Sequence, residues 1–344
     1  MRVASSLFSQ SPVSYCLPLS QETKNPWKLE SGFCRPAGGY SLKPMCLKFP
    51  ASNMKIFLRN GHAYADKLVV NVATPKTSLN GMVDILEYYE DIYDGVIIDP
   101  ESLPSNTTAF SAALRSSLSY WKLKGKKGVW LKILLDKVDL VPIAIKEGFV
   151  YHHTEPHYVM LTYWIPEGPC MLPAGASHQI GVGGFVINDN GEVLVVKERK
   201  CLLSCSGIWK LPTGLIDKSE EIFSGAIREV KEETGIDTTF SEVLAFRHAH
   251  HVTFEKSDLF FVCMLRPLSF DITIDEAEIQ AAKWMPLHEF MEQPFHKEDQ
   301  MMKRVLDVCV ARCENCYGGF STQLVISKFD ERVSHLYYGG LNNI

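Results

Sequence analysis

Residues Gly214 to Ile236 read GLIDKSEEIFSGAIREVKEETGI, and the placing of the acids in this stretch decides the reading of the whole chain. Ser219 is the expected N-cap of a helix, with Glu220 and Glu221 in the first turn, where the helix dipole favours acids. Ile222, Phe223, Ala226, Ile227 and Val230 recur at helical spacing and supply an apolar stripe for docking on a sheet. Gly235 can take the left-handed conformation that ends a helix. The stretch therefore reads as loop, helix, loop, with its carboxylates on the face opposite the buried one. Glu229, Glu232 and Glu233 share that face, because positions three and four apart are neighbours on a helix. Three carboxylates so close repel one another and raise their own pKa values unless a cation sits among them. Ligands that are all oxygen favour a hard divalent ion, Mg²⁺ or Mn²⁺. Arg228 can act as a fork that fixes the orientation of a carboxylate.

A bare REVKEE run is also what an ordinary solvated helix contains, with ion pairs along its surface. The flanks separate the two readings. Gly214 stands six residues before Glu220, Glu220 eight before Arg228, and Gly235 with Ile236 closes the segment. Every fixed position of the pattern G-x5-E-x7-R-E-U-x-E-E-x-G-U is met, U being a bulky aliphatic residue. The segment resembles the Nudix hydrolase signature, with no departure from it. The resemblance implies a Nudix α/β/α sandwich with a mixed sheet and the signature helix lying on it. It also implies hydrolysis of the pyrophosphate bond in a nucleoside diphosphate linked to another group, with Glu229, Glu232 and Glu233 holding Mg²⁺ or Mn²⁺. Gly214 then approaches the phosphates with its backbone, and Glu220 supports the loop or a second metal. Glu232, Glu233 and Glu278 are the candidates for general base, Glu278 being alternatively a solvated acid at a strand edge.

Substrate is less sharply drawn. ADP-ribose or NADH, giving AMP and a second phosphate product, leads by resemblance. The SQPW block of NADH-acting relatives is absent, and Val252, Thr253 and Phe254 stand where other subgroups carry a marker proline or tyrosine. Coenzyme A, FAD, a nucleotide alarmone or capped RNA are the alternatives for the same chemistry. A non-enzymatic nucleotide-sensing regulator is the third reading, disfavoured because a binder has no need of three metal-binding glutamates. Phe254, Phe246 or Phe261 can stack on a base, or serve as core.

Composition frames these expectations. The 344 residues are 46% hydrophobic and 22% charged, enough for two globular domains, and the net charge of −5 argues against bulk electrostatic binding to nucleic acid. No apolar run reaches the roughly 18 residues of a membrane span. Residues 1–53 are Ser-rich and acid-poor, with only Glu22 and Glu30 against six bases, which reads as an organellar transit peptide and places the protein in the chloroplast. The alternatives are a mitochondrial address, a plain disordered leader, or a cytoplasmic protein begun at Met54. The ten cysteines form no paired framework; Cys309, Cys313 and Cys316 lack a fourth zinc ligand, and Cys309 and Cys313 read as buried or half-buried free thiols on a C-terminal helix.

Residues 60–165 alternate strand and helix and form a first α/β domain. Strands are expected at 67–73, 128–133, 149–152 and 158–164, and helices at 81–89, 107–122 and 138–147. The runs DGVIIDPESLP and KEGFVYHHTEPHYVMLTYWIP resemble the pre-Nudix domain of a plant Nudix subgroup, which has an acetyltransferase-like fold. No acetyl-CoA loop is visible, so its implied role is dimerisation or substrate shaping, and a homodimer is expected. Residues 166–177 read as a linker, 178–330 as the Nudix domain and 331–344 as a tail. Asn190-Gly191 signals a hairpin. His152, His153 and His157 point to alternate sides of strands and read as structural or surface residues; the same reading holds for His248, His250 and His251, with the rim of a substrate pocket as the alternative for these three.

Overall fold

The computed structural model describes residues 69–73, 84–200, 207–327 and 333–340. The leader 1–53 lies outside them. The described chain divides into two compact units, one ending at Gly175 and the other running from Ala176. Among the described residues no helix is long and apolar enough to cross a membrane.

The front unit runs β1 (Val69–Ala73), β2 (Tyr88–Asp91), β3 (Val96–Ile98), α1 (Thr107–Leu123), β4 (Gly128–Leu134), α2 (Val141–Lys146), β5 (Val150–Glu155) and β6 (Tyr158–Trp164). Its six strands lie in the order β1-β2-β3-β4-β6-β5, antiparallel except for β3 with β4. Helix α1 starts where the Asn106 side chain accepts from the Ala109 N–H. It buries Phe110, Ala113, Leu114, Ser117 and Trp121, a stripe spaced by threes and fours. Burying Phe110 or Trp121 contributes about 1.5–3 kcal/mol each. Of the helix expected at 81–89, the described residues 84–89 form no part. Residues 84–87 are irregular and Tyr88–Asp91 is a strand, because Leu86 and Tyr88 go inward while Glu87 stays exposed, the period of a strand. The segment 138–147 is a 3-10 turn followed by α2, since Pro142 has no N–H to donate and is accommodated only in a first helical turn.

The second unit runs β7 (His178–Val186), β8 (Glu192–Glu198), β9 (Thr213–Leu215), α3 (Ile222–Thr234), β10 (Thr238–Thr253), β11 (Lys256–Pro267), β12 (Ile279–Pro286), α4 (Leu287–Met291), α5 (Pro294–Glu298), α6 (Gln300–Cys313), β13 (Ser321–Ile326) and β14 (Val333–Tyr338). A four-stranded mixed sheet has the order β10-β11-β7-β9, with β11 and β7 parallel. The turn at Asn188–Gly191 forms, with the Asn188 carboxamide oxygen accepting from Asn190 and Glu192 N–H groups. Strand β8 then leaves β7 and pairs with β12. Val182, Val186 and Leu194 pack with Ala226 and Val230 of α3. Phe185, Val193 and Val195 pack on the other side with Phe290 of α4 and Leu306 and Cys309 of α6. Helices thus cover both faces, the α/β/α sandwich. Within the expected tail, the described Val333–Tyr338 form β14, which pairs with β13, and Tyr337 packs against the α3 side of the core.

Candidate active site

The signature helix begins later than its sequence suggests. Ser219 sits at φ 65° in the turn before it, and the N-cap is Glu221, without a side-chain bond to the helix. Glu220 is drawn elsewhere, accepting the Asp217 N–H at 2.7 Å and binding Arg228. Gly235 ends α3 at φ 73°, as its lack of a Cβ allows.

Arg228 is the hub of the acids. Its Nε and Nη2 reach the two oxygens of Glu220 at 2.8 and 2.7 Å, and Nη1 reaches Glu229 at 2.7 Å and Glu232 at 3.0 Å. Nη2 also donates to the Leu215 carbonyl at 2.9 Å, tying the helix to β9. These carboxylates hold the guanidinium well above its ordinary pKa, Glu220 chiefly. Gly214 lies against the same group, and a Cβ there would come within 2.0 Å of Glu229 Cδ. Only glycine leaves room for the carboxylate.

Glu233 does not share the open face with its neighbours. It is 4% exposed, beside Val230 and Thr234 on the sheet side of α3. One of its oxygens has no hydrogen-bond partner. Burial lifts its pKa to about 8; Lys210 and the Thr213 N–H pull it down, while Glu229 and Glu198 push it up. The acids therefore grade from buried Glu233, through mostly buried Glu229, to half-exposed Glu232. Among the described residues no three His, Cys, Asp or Glu side chains converge tightly enough to hold a metal as they stand. Arg228 draws two of the trio toward itself while Glu233 stays in the core. A divalent cation nevertheless fits the donor set, because it would neutralise acids crowded together and fill the open valence of the buried Glu233 oxygen.

These groups line a cleft of about 470 Å³ with Thr213, Gly214, Leu215, Ile216, Asp217, Asp275 and Glu278. Glu278, exposed at the start of β12, does reach the cleft. Thr213 also lines a neighbouring, largely apolar pocket of about 390 Å³ between β10, β11 and α6, with Phe246, Phe260, Met301, Met302 and Val305. Phe246 therefore stands at a pocket, while Phe261 packs against the α3 core. Phe254 is 88% exposed at the β10–β11 turn with φ 48°, and lines neither cavity. His248 and His250 line neither cavity, and bond His178 at 2.9 Å and Ser257 at 2.9 Å. His251 lines neither cavity. In the front unit His152 and His153 meet each other through Nδ1 at 2.6 Å, a structural contact. Cys309, Cys313 and Cys316 are free thiols, grading from buried to exposed.

A family model of the Nudix hydrolase domain matches residues 86–165, and one of the NUDIX domain matches residues 177–306. Nudix hydrolase 8 of Arabidopsis thaliana is 64% identical over 255 residues, covering 74% of this chain and 69% of the relative. Nudix hydrolase 2 of the same plant is 47% identical over 266 residues, 77% of this chain and 95% of the relative. The chain belongs to the Nudix hydrolase family. The human protein named nucleoside diphosphate-linked moiety X motif 6 is 38% identical over 187 residues, 54% of this chain and 58% of that one. Nudix hydrolases generally use divalent metal ions, which suits the acid-rich cleft. The complete Nudix signature lies in the second unit.

Three participants escaped sequence reasoning. Lys210, Glu198 and Asp275 are unremarkable in the linear pattern, and only the pairing of β8 and the 209–213 strap brings the first two behind Glu233.

Proposed function

We propose that this Nudix hydrolase cleaves the pyrophosphate bond of ADP-ribose or NADH, giving AMP and a second phosphate product, with Mg²⁺ or Mn²⁺ held by Glu229, Glu232 and Glu233. The observation that carries the reading is the buried Glu233 oxygen without a partner in an acidic cleft that adjoins an apolar pocket through Thr213. The cleft suits a metal-bound diphosphate, and the pocket, with Phe246 and Phe260, suits the flat face of a base or nicotinamide. The name of the human relative, which refers to a nucleoside diphosphate-linked moiety, agrees with this class.

Held by Glu229, Glu232 and Glu233, Mg²⁺ or Mn²⁺ would supply charge neutralisation for the diphosphate and a lowered pKa for water. The chain's own residues do the rest. Arg228 orients Glu229 and Glu232 through one guanidinium, and Gly214 leaves the space that Glu229 fills. Glu278, which lines the cleft just before β12, is the proposed acceptor of a proton from the attacking water. We extend the proposal to chloroplast targeting by the Ser-rich, acid-poor leader, and to a homodimer formed through the front unit.

The test is a substrate panel. Full-length protein with Mg²⁺ or Mn²⁺ is incubated with ADP-ribose, NADH, FAD, coenzyme A and guanosine tetraphosphate, and the products are identified. AMP from ADP-ribose or NADH, at a kcat/KM at least about tenfold above the others, is the expected result. Preference for coenzyme A, FAD or the tetraphosphate overturns the substrate assignment.

A further inference from the structure

Behind the cleft lies a buried ion pair that the signature does not include. The Lys210 ammonium meets the Glu198 carboxylate, and both side chains are more than nine-tenths buried, at 9% and 8% exposure. Lys210 Nζ also donates to Thr213 Oγ1 at 3.0 Å. Thr213 and Glu233 in turn line the same cleft.

The lysine backbone has little freedom. Its N–H donates to the Val196 carbonyl at 3.0 Å and its carbonyl accepts from Val196 at 2.8 Å. Trp209, one residue before, is clamped by the Gln293 carboxamide, which accepts from its N–H at 3.0 Å and donates to its carbonyl at 3.1 Å. Taking an ammonium and a carboxylate out of water is costly, and an apolar pair of similar size would fill this space as well. The pair stands at the one place where its charge bears on the Thr213 hydroxyl and on Glu233.

We infer that Lys210 is a positioning residue for the hydrolysis: its ammonium, neutralised by Glu198, holds the Thr213 side chain and so fixes the wall of the cleft that Thr213 shares with Glu233. The inference rests on the reading that Glu233 serves in that hydrolysis. Lys210 needs no contact with the substrate to act in this way. Glu198 has the lesser part, supplying the charge that lets a lysine be buried there.

The test separates positioning from mere support of the fold. Full-length wild type, Lys210→Met, the double variant Lys210→Met with Glu198→Gln, and Thr213→Val are compared. Thermal midpoint, kcat and KM on ADP-ribose or NADH, and hydrogen–deuterium exchange of the peptide carrying Thr213 without added metal are measured. The double variant removes both members of the buried pair, so its thermal midpoint should lie above that of Lys210→Met alone and close to that of the wild type. Its kcat should stay about 10- to 100-fold low with KM within about threefold, and the Thr213 peptide should exchange about tenfold faster. Thr213→Val should reproduce the kcat loss. A double variant with wild-type kcat, or with unchanged exchange at Thr213, overturns the inference. If neither Met variant folds, Lys210→Arg, which keeps the charge but moves its donors away from Thr213, is read in the same two ways. Should the wild type turn over neither ADP-ribose nor NADH, the substrate assignment fails, and the exchange measurement still decides the role of Lys210.

Discussion

The two units handle polarity in opposite ways. In the front unit the buried polar residues among those described are the hydroxyls Ser117 and Thr162. Ser117 is fully satisfied, accepting the Leu86 N–H at 2.8 Å and donating to the Ala113 carbonyl at 2.7 Å. The front unit has a large cavity of its own, about 980 Å³ and rich in aromatic side chains, but its acids are tied up. Asp91 accepts from Tyr93 and Gly95 N–H groups and Asp94 pairs with Lys127 at 3.0 Å. The second unit instead buries Lys210, Glu233, Glu242, Asp258 and His296. Glu242 meets Arg312 and the Gly319 N–H, and Asp258 meets Arg247 and Gln179. Glu233 keeps an oxygen without a partner. Burial of charge is therefore not by itself the mark of the site; among these buried carboxylates, the one with an oxygen left without a partner is.

The largest test of that contrast is Glu233→Gln. Turnover should fall by about 10²–10³-fold or more, while the thermal midpoint stays level or rises, because an incompletely paired carboxylate leaves the core. Steady-state kinetics beside a thermal melt checks both, and a variant with wild-type turnover would erase the distinction between Glu233 and the other buried acids. Glu242→Gln should do the reverse. It weakens the contact with Arg312, costing about 2 kcal/mol in denaturant titration, with kcat on the accepted substrate unchanged. A collapse of activity at preserved stability would place Glu242 in the site.

The smallest effect concerns His296, 1% exposed, whose pKa burial lowers against the raising influence of the Trp209 carbonyl and Asp299. The unfolded chain then binds more protons than the folded one just below an ordinary imidazole pKa of about 6.5. Stability from this group is complete above that pH and declines as pH falls through it toward the folded value. The thermal midpoint should drop between pH 7 and pH 5, and His296→Gln should lessen the drop; an identical drop in the variant assigns it to other groups.

Much of this was legible in the linear chain because it is local. Arg228, Glu229 and Glu232 follow from helical spacing, and Gly214 follows from the fixed distance to Glu220. The burial of Glu233 was not legible, since the same spacing serves an exposed face and only docking on the sheet tells which side each acid takes. Lys210 finds Glu198 twelve positions away on another strand, and Glu242 finds Arg312 seventy away, separations that no periodicity encodes. Tyr88 and its neighbours misled because a short apolar run suits helix and strand alike, and pairing with β1 and β3 decided it.

The single guanidinium of Arg228 reaches three carboxylates and the Leu215 carbonyl, all through a flat, rigid fork. A lysine at that position, though equally cationic, has one tetrahedral nitrogen and cannot span four acceptors at once. Exchanging like charge for like charge there would scatter the acids, so the conservative-looking replacement is the damaging one, and shape rather than sign is what this position demands.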